Sequence, residues 1–369
     1  MRPLALFTLV AAIFVLTVGA GAQPPAAKAK PDPKKVDPKA KADPEPALNM
    51  KMTIADIRLG KSILGPKVEA SDLKGKVVLV DYWGIKCSPC IVAMPKTADL
   101  NAEIGDFGLI ILGSHVQEGN EEDIRAMAVK LRANFPISNQ TRVMGADDNR
   151  FIPHTLLFDH TGKCIFRGSP SEVEPHIRKA VGNAIIANAG REKFTASFEP
   201  ILKELRAGMS PLKVLPRVAA MRNFTGDAGA DAKGLLSAMT AGGRKKLEQA
   251  EALRESNPVE AFVMVEKLPM AFKGSPLATE ASEMIGKLRK EKAVTAELNA
   301  RLALEGVKKL DQQLGLGTQD PKKPEFQKAY APLLAQLKSK ATQMKKAWPD
   351  ALATKEALET AERYSVKIK

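Results

Sequence analysis

Cysteine and aromatic residues are scarce in this chain of 369 residues. It contains three cysteines, and phenylalanine, tryptophan and tyrosine together make up 5% of it. Three cysteines cannot build the crosslinks that stabilise a small disulfide-rich scaffold. Only one C-x-x-C motif is present, without a pair of histidines at metal-ligand spacing, whereas a tetrahedral zinc site needs four ligands. The sequence therefore predicts neither a disulfide-rich scaffold nor a bound metal.

Acidic residues are outnumbered by basic ones. The formal net charge is +14 at pH 7, and the isoelectric point is about 9.5. The lysines and arginines are spread along the N-terminal tail and the C-terminal half without interleaved aromatic residues. This distribution favours a solvated basic surface over a nucleic-acid site. We therefore expect no nucleic-acid partner, and contact with an anionic surface stays open as an alternative.

The N-terminus has the pattern of a secretory signal peptide over residues 1–22. Arg2 supplies the positive charge, Leu4 to Val18 form the apolar run, and Ala20-Gly21-Ala22 match a small-residue cleavage site. The run is short for a membrane span. We therefore expect an exported protein, periplasmic or otherwise extracytoplasmic, with no stable membrane span after the signal is cleaved. The alternative is an uncleaved signal that acts as a membrane tether. Residues 23–47 are rich in proline, alanine and lysine and predict a disordered linker.

One stretch carries the chemistry, from Val78 to Cys90. An apolar, β-branched segment runs into Cys87-Ser-Pro-Cys90, and helical periodicity follows. A buried strand that ends where a helix begins puts Cys87 at the helix N-terminus, where unpaired N–H groups and the helix dipole stabilise a thiolate. Cys87 is the predicted nucleophile, and Cys90, one turn later, is the residue that resolves a mixed disulfide. An inert disulfide or half of a zinc site is the alternative.

Residues 48–190 predict one α/β domain, because strand and helix patterns alternate in the order β-α-β-α-β-β-α. This order implies a mixed central sheet flanked by helices. Asn120 is the predicted cap of the second helix, and Pro95 is expected to interrupt the first. The predicted elements are a strand or hairpin at 54–64, a helical turn at 71–76, strands at 77–82, 109–113 and 155–159, a hairpin into 164–167, and helices at 88–103, 120–135 and 171–188.

Three groups of residues give this part of the chain a family resemblance. They are Leu73 to Trp83, Cys87-Ser-Pro-Cys90 with Pro95 five residues later, and Ile152-Pro153 to Asp159 followed by Gly162-Lys163. Residues 50 to 188 resemble the thioredoxin superfamily, and specifically the exported TlpA/ResA-like thiol–disulfide oxidoreductases. The resemblance implies an α/β thioredoxin-like fold that needs no cofactor. It also implies exchange of the cysteine pair with protein thiols and disulfides and with an unidentified redox donor.

The resemblance assigns roles to residues around the cysteines. Asp81 occupies the position of a buried aspartate in thioredoxin, whose raised pKa lets it take the proton of the resolving thiol; a strand-end aspartate bonded to backbone is the alternative. Pro153 resembles the cis-proline that faces the cysteine pair and leaves the backbone of Ile152 free to pair with a substrate strand. An ordinary trans turn proline is the alternative. Trp83 joins these two residues as a predicted substrate-binding residue.

Lys86 and Pro89 are predicted modulators of the pair. Lys86 stands where the family usually has tryptophan, and its charge favours the Cys87 thiolate unless it only faces solvent. Gly84 replaces the threonine that peroxiredoxins place three residues before their reactive cysteine, so we expect no peroxide reduction. Cys164 is expected to be a small buried core residue, with a regulatory or intermolecular thiol as the alternative. The histidines form no constellation and are predicted to be ordinary polar residues: His115, His154, His160 and His176. For His154, which follows Pro153, a position near the cysteine pair is the alternative.

Residues 191–369 predict an all-α region, because strand signals disappear after the α/β domain. Glycine-rich joints are expected at Gly226–Gly234 and at Gly315–Gly317. The predicted helices span 211–222, 234–255, 258–272, 276–314, 324–346 and 349–364.

Two helices of this region have a cap followed by a first-turn proline, at Asn257-Pro258 and Ser275-Pro276. Their spacing suits stacked helical hairpins, and Lys245 to Leu288 weakly resembles tetratricopeptide-type repeats. The region is predicted to be either a stabilising appendage or a docking surface for a protein partner. The whole sequence thus predicts an exported thiol–disulfide oxidoreductase. The alternative is a non-catalytic assembly or partner-binding protein in which the thioredoxin-like fold is structural.

Overall fold

The structure, a computed structural model, describes residues 50–146, 151–315 and 320–368. The predicted signal peptide and linker lie outside these residues, as does most of the joint expected at Gly315–Gly317. The described residues all fall into one structural unit. The α/β part and the helices that follow it can therefore be placed relative to each other.

Eight strands and three helices make up the α/β part among the described residues. The strands are β1 (Ile57–Arg58), β2 (Lys61–Leu64), β3 (Val77–Trp83), β4 (Leu109–His115), β5 (Ile137–Asn139), β6 (Arg142–Val143), β7 (His154–Phe158) and β8 (Cys164–Gly168). The helices are α1 (Ser88–Ile104), α2 (Glu121–Lys130) and α3 (Pro170–Asn188).

Six strands form one sheet in the order β2-β5-β4-β3-β7-β8, and β1 pairs with β6 in a separate two-stranded sheet. The pairs β3–β4 and β4–β5 are parallel, whereas β2–β5, β3–β7 and β7–β8 are antiparallel. The expected mixed sheet is therefore confirmed.

β3 lies inside the sheet, with a neighbouring strand on each side, and all seven of its residues are buried. A strand covered on both faces has a nearly continuous apolar sequence. Because side chains alternate along a strand, Leu79 and Trp83 point to the face that α1, α2 and α3 cover, and Val80 and Tyr82 point to the opposite face. Asp81 shares the helix-covered face by the same alternation.

The structure differs from the sequence-based expectation at three places in this part. The segment expected as a strand or hairpin at 54–64 is a short 3₁₀ helix followed by β1 and β2, which pair with β6 and β5 rather than with each other. The helix expected at 120–135 is shorter, since Arg132 adopts a left-handed conformation with φ of 60°, and residues 137–139 then form β5. α1 continues through Pro95 as one helix and is not interrupted.

Helices alone follow α3 among the described residues, so the expected all-α region is confirmed. They are α4 (Glu199–Arg206), α5 (Pro211–Ala220), α6 (Gly226–Leu253), α7 (Pro258–Val265), α8 (Leu268–Ala271), α9 (Pro276–Leu288), α10 (Lys292–Gly315), α11 (Pro324–Ala329), α12 (Ala331–Ala347) and α13 (Leu352–Arg363), with short 3₁₀ helices at Ala196–Phe198 and Met221–Asn223. Three helices expected as single elements are each split in two, at 258–272, 276–314 and 324–346.

The joint expected at Gly226–Gly234 is wrong, because these residues form the first turns of α6. A Cβ on Gly234 would meet the carbonyl oxygen of Ala189, and a Cβ on Gly229 would meet that of Phe224. The glycines therefore allow close approach of two backbones rather than breaking the helix.

The helical region contacts the α/β part at the end of α1 that lies away from Cys87. Lys246 on α6 forms an ion pair with Asp106, in the 3₁₀ turn after α1. The neighbouring Lys245 lies 3.5 Å from the carboxylate of Asp72, in the turn before β3. α1 has 17 residues, so the contact with Asp106 lies about 25 Å along its axis from its first turn.

The hydrophobic core is continuous between the two parts of the unit. One cluster extends from the helix-covered face of the sheet through α3 into α4 to α9, a second joins α10 to α13, and a third fills the opposite face of the sheet. None of the helices in the described ranges combines the length and the apolar character needed to cross a membrane.

Candidate active site

Cys87 and Cys90 are joined by a disulfide in the first turn of α1. The S–S distance is 1.99 Å, and the Cα atoms are 5.3 Å apart. Cys87 is the N-cap of α1, and its sulfur accepts a hydrogen bond from the N–H of Cys90 at 3.3 Å. That N–H is one of the donors that a helix leaves unpaired at its start, so the sulfur lies where a thiolate would be stabilised. The structure places Cys87 at the helix N-terminus that the sequence predicted.

Asp81 is a buried carboxylate on the central strand. It is 3% exposed, and it lies on the sheet face that α1 covers. Desolvation of the charged form raises the pKa of Asp81 to about 7. The group can therefore take up or release a proton near neutral pH, which is the property that the sequence comparison with thioredoxin implied.

Trp83 and His115 form a buried pair where β3 and β4 end. The two residues are paired across the strands, and their rings meet edge to face at 5.3 Å between centroids. Trp83 is 1% exposed and His115 is fully buried. Direct contact of Trp83 with a substrate does not fit this position, because almost none of its side chain is exposed to solvent. Its position instead suits packing beneath the turn that leads into Cys87.

The Ile152–Pro153 peptide bond is cis, as the sequence predicted. β7 begins at the next residue, His154, which pairs with Tyr82 of β3. Pro153 therefore lies level with Trp83, at the edge of the sheet from which α1 starts. Ile152 is half-buried and packs against the apolar cluster that contains both active-site sulfurs.

The exposed residues close in sequence to Cys87 and Pro153 include two large apolar side chains and one cation. Lys86 and Pro89 are exposed. Val92, in the second turn of α1, is 68% exposed, and Phe151, next to Ile152, is 78% exposed. Large apolar side chains left open at this level suit contact with another polypeptide.

Comparison with known proteins finds relatives that are similar to the α/β part of the chain. No family model matches the chain. Over 104 residues the chain is 32% identical to the thioredoxin-like protein YneN of Bacillus subtilis, which covers 28% of this chain and 61% of that protein. Over 103 residues it is 31% identical to the thiol-disulfide oxidoreductase ResA of the same organism, covering 27% of this chain and 57% of that protein. The α/β part of this chain is thus similar in sequence to TlpA/ResA-like proteins of the thioredoxin superfamily.

The chain thus spans about 60% of the length of the curated relatives it matches. Similar solved structures include a thiol:disulfide interchange protein of Chlorobium tepidum, at 18% identity and a TM-score of 0.30, covering 38% of this chain and 99% of that one. Another is the thioredoxin domain of a thiol-disulfide oxidoreductase from Bacteroides vulgatus, at 25% identity and a TM-score of 0.27, covering 33% of this chain and 89% of that one.

The third cysteine of the α/β part is remote from the disulfide. Cys164 is buried, on the sheet face opposite α1. Its sulfur lies 3.6 Å from the carbonyl oxygen of Phe166, and burial raises the pKa of its thiol to about 11. It is the small buried core residue that the sequence predicted.

Sequence reasoning missed two residues of the domain that contact the turn before Cys87. His115 was assigned an ordinary role and Gln117 was not considered, yet both bond to backbone N–H groups of this turn. The available signal was their position: His115 is the last residue of β4, which is parallel to β3, and Gln117 follows two residues later. The carboxyl ends of parallel strands share one edge of a sheet, where functional residues of α/β folds gather.

Proposed function

We propose that this chain is an exported thiol–disulfide oxidoreductase that exchanges the Cys87–Cys90 dithiol or disulfide with protein substrates. The observation that carries the proposal is the disulfide in the first turn of α1, with the Cys87 sulfur at the helix N-terminus. One relative of the α/β part is the thiol-disulfide oxidoreductase ResA, whose name supports the same activity.

The exchange proceeds through a mixed disulfide. In the reduced protein the Cys87 thiolate attacks one sulfur of a substrate disulfide, a bond forms between them, and the other substrate sulfur leaves as a thiolate. Cys90 then attacks the Cys87 sulfur, which releases the second substrate thiolate and closes the Cys87–Cys90 disulfide. The substrate gains the two electrons that the cysteine pair loses. The reverse sequence oxidises a substrate dithiol.

Asp81 is the proposed proton acceptor in the second step, because Cys90 must lose its proton before it attacks. A carboxyl group with a pKa near the working pH is present in both protonation states and is suited to general acid–base catalysis. The location of Asp81 on the face of β3 beneath α1 supports the assignment.

The edge that contains Ile152 and Pro153 is the proposed substrate-binding surface. A substrate segment in extended conformation would lie along the backbone of Ile152 as an added strand. Val92 and Phe151 are exposed apolar side chains that would offer contacts to the same segment. Trp83 supports this surface from below, and the exposed Lys86 and Pro89 would tune the reactivity of the pair.

The proposed organisation follows the sequence. Residues 1–22 act as the signal peptide, 23–47 as a linker, 48–190 as the redox domain and 191–369 as the helical region. The redox partners are protein thiols and disulfides together with an unidentified redox donor. A protein partner of the helical region would bind at the end of the unit that lies away from the disulfide, since α6 contacts the redox domain there.

Reduction of insulin by dithiothreitol tests the proposal. The purified protein should accelerate the appearance of turbidity, and Cys87→Ser should abolish the acceleration because no nucleophile remains. Cys90→Ser should accumulate a mixed disulfide through Cys87. Cys164→Ala is the matched control, since its sulfur lies on the other face of the sheet, and it should keep full activity. Equal rates for wild type and Cys87→Ser would mean that the disulfide is structural.

A further inference from the structure

Two side chains from the end of β4 hold the turn that leads into Cys87. The N–H of Ile85 donates to Nε2 of His115 at 3.3 Å, and the N–H of Lys86 donates to Oε1 of Gln117 at 2.8 Å. The turn is thus tied to the neighbouring strand at the two residues that come directly before the cysteine.

The first of these hydrogen bonds defines the state of the His115 ring. A nitrogen that accepts a hydrogen bond carries no proton, so the proton of the neutral ring is assigned to Nδ1. An imidazolium would turn an N–H towards the N–H of Ile85. Burial lowers the pKa of His115, which keeps the ring neutral at pH 7. Among the described residues Nδ1 has no hydrogen-bond partner, so the only bond that the ring makes there is the one to the turn.

The two hydrogen-bond acceptors, His115 and Gln117, are positioned by the sheet and by the glycine at 84. His115 is the register partner of Trp83 and meets the edge of its ring, so the ring has little freedom to move. A Cβ on Gly84 would collide with the side chain of Gln117, so the absence of a side chain at 84 allows Gln117 to reach the backbone of Lys86. The carbonyl oxygen of Gly84 in turn accepts the N–H of Cys87 at 3.1 Å.

We propose that His115 and Gln117 are positioning residues for thiol–disulfide exchange, because they hold the turn at 84–87 in the shape that places the Cys87 sulfur on the start of α1. The inference rests on the proposed function and adds two residues to it that touch neither substrate nor sulfur. Loss of either acceptor leaves a backbone N–H unpaired and releases the turn towards solvent. The sulfur of Cys87 then loses its alignment with the N–H of Cys90, and its thiolate is stabilised less.

The pH dependence of Cys87 alkylation measures this effect. In the reduced protein, the rate of carbamidomethylation of the peptide that contains Cys87 is followed by mass spectrometry as a function of pH. His115→Phe keeps a planar ring but removes the acceptor, and should shift the midpoint upward by about one pH unit, a tenfold loss of thiolate at fixed pH. His115→Gln offers an amide oxygen near the position of Nε2 and should restore most of the wild-type midpoint. Gln117→Met, at a half-exposed site, should shift the midpoint in the same direction as His115→Phe.

Controls separate positioning from general stability. His176→Phe makes the same replacement at an exposed histidine that stacks on Phe166, and should leave the midpoint unchanged. If His115→Phe does not fold, Gln117→Met decides the question alone. A folded His115→Phe or Gln117→Met with the wild-type midpoint would overturn the inference. Inactivity of the wild type towards insulin would refute the proposed function and leave this alkylation result intact, so the two failures are distinguishable.

Discussion

Replacement of Asp81 by asparagine makes a sharp prediction, because the structure gives both the size and the sign of its effect. The ordinary pKa of an aspartate is 3.8, and burial raises the pKa of Asp81 to about 7 in the folded protein. Asparagine has nearly the same shape and no ionisable proton. The Asp81→Asn variant should therefore keep the fold but lose the pH dependence that this carboxyl group confers.

The sign follows from which state holds the proton. Below about pH 4 the folded and unfolded chains are both protonated at Asp81, and the stability that the neutral form allows is fully present. Between pH 4 and pH 7 the unfolded chain loses the proton while the folded protein keeps it, so stability falls as the pH rises and levels off above pH 7. Each pH unit in this window costs about 1.4 kcal/mol. The wild type should lose roughly 3 kcal/mol relative to Asp81→Asn between pH 5 and pH 8.

Urea unfolding of the oxidised proteins at pH 5, 6, 7 and 8 measures the difference. Asp99→Asn, on the exposed side of α1, is the matched control and should track the wild type at every pH. The same Asp81 variant should resolve mixed disulfides more slowly at pH 7, since Cys90 loses its proton acceptor. A stability gap between wild type and Asp81→Asn that stays constant from pH 5 to pH 8 would show that Asp81 does not titrate in this range, and the proposed proton step would fail with it.

Two further predictions concern the helical interface and the cation beside the nucleophile. Gly242→Ala should destabilise the protein by about 1–3 kcal/mol in urea unfolding, because the new Cβ would meet the carbonyl oxygen of Asp106. Gly286→Ala is the control, since its Cβ enters open space on α9, and it should stabilise the protein by up to about 1 kcal/mol. Equal effects of the two substitutions would refute the close contact at Gly242. Lys86→Ala should raise the midpoint of Cys87 alkylation by less than one pH unit, since an exposed charge acts weakly through solvent, and an unchanged midpoint would show that Lys86 only faces water.

The fold and the cysteine pair were predictable because their signals are local and strong. β3 is an unbroken apolar run, and such a run identifies a strand covered on both faces. Asn120 accepts the N–H of Asp123 at 2.8 Å, as its position before an acidic first turn indicated. The C-x-x-C motif at a strand-to-helix junction located Cys87 and Cys90 without any tertiary information.

The missed elements depend on contacts between distant parts of the chain. β5 has three residues, two of which are Ser138 and Asn139, so its sequence has little β preference and the strand exists because β4 and β2 pair with it. His115 gave no local signal, because its partner Ile85 lies 30 residues earlier. Gly234 was interpreted as a break, whereas it permits the approach of α6 to Ala189, which only the tertiary structure reveals.

The position of the helical region limits what it can do for the redox chemistry. Its ion pairs to the α/β part involve Asp72 and Asp106, at the N-terminal ends of β3 and β4. Cys87 lies at the other end of α1 from Asp106, about 25 Å away. In the proposed exchange, a substrate disulfide at Cys87 would therefore meet the sheet edge with Pro153 and the first turns of α1 rather than the α6 interface. One apolar cluster joins the sheet to α4 to α9, so a protein partner proposed for these helices would bind a region that packs directly against the α/β part.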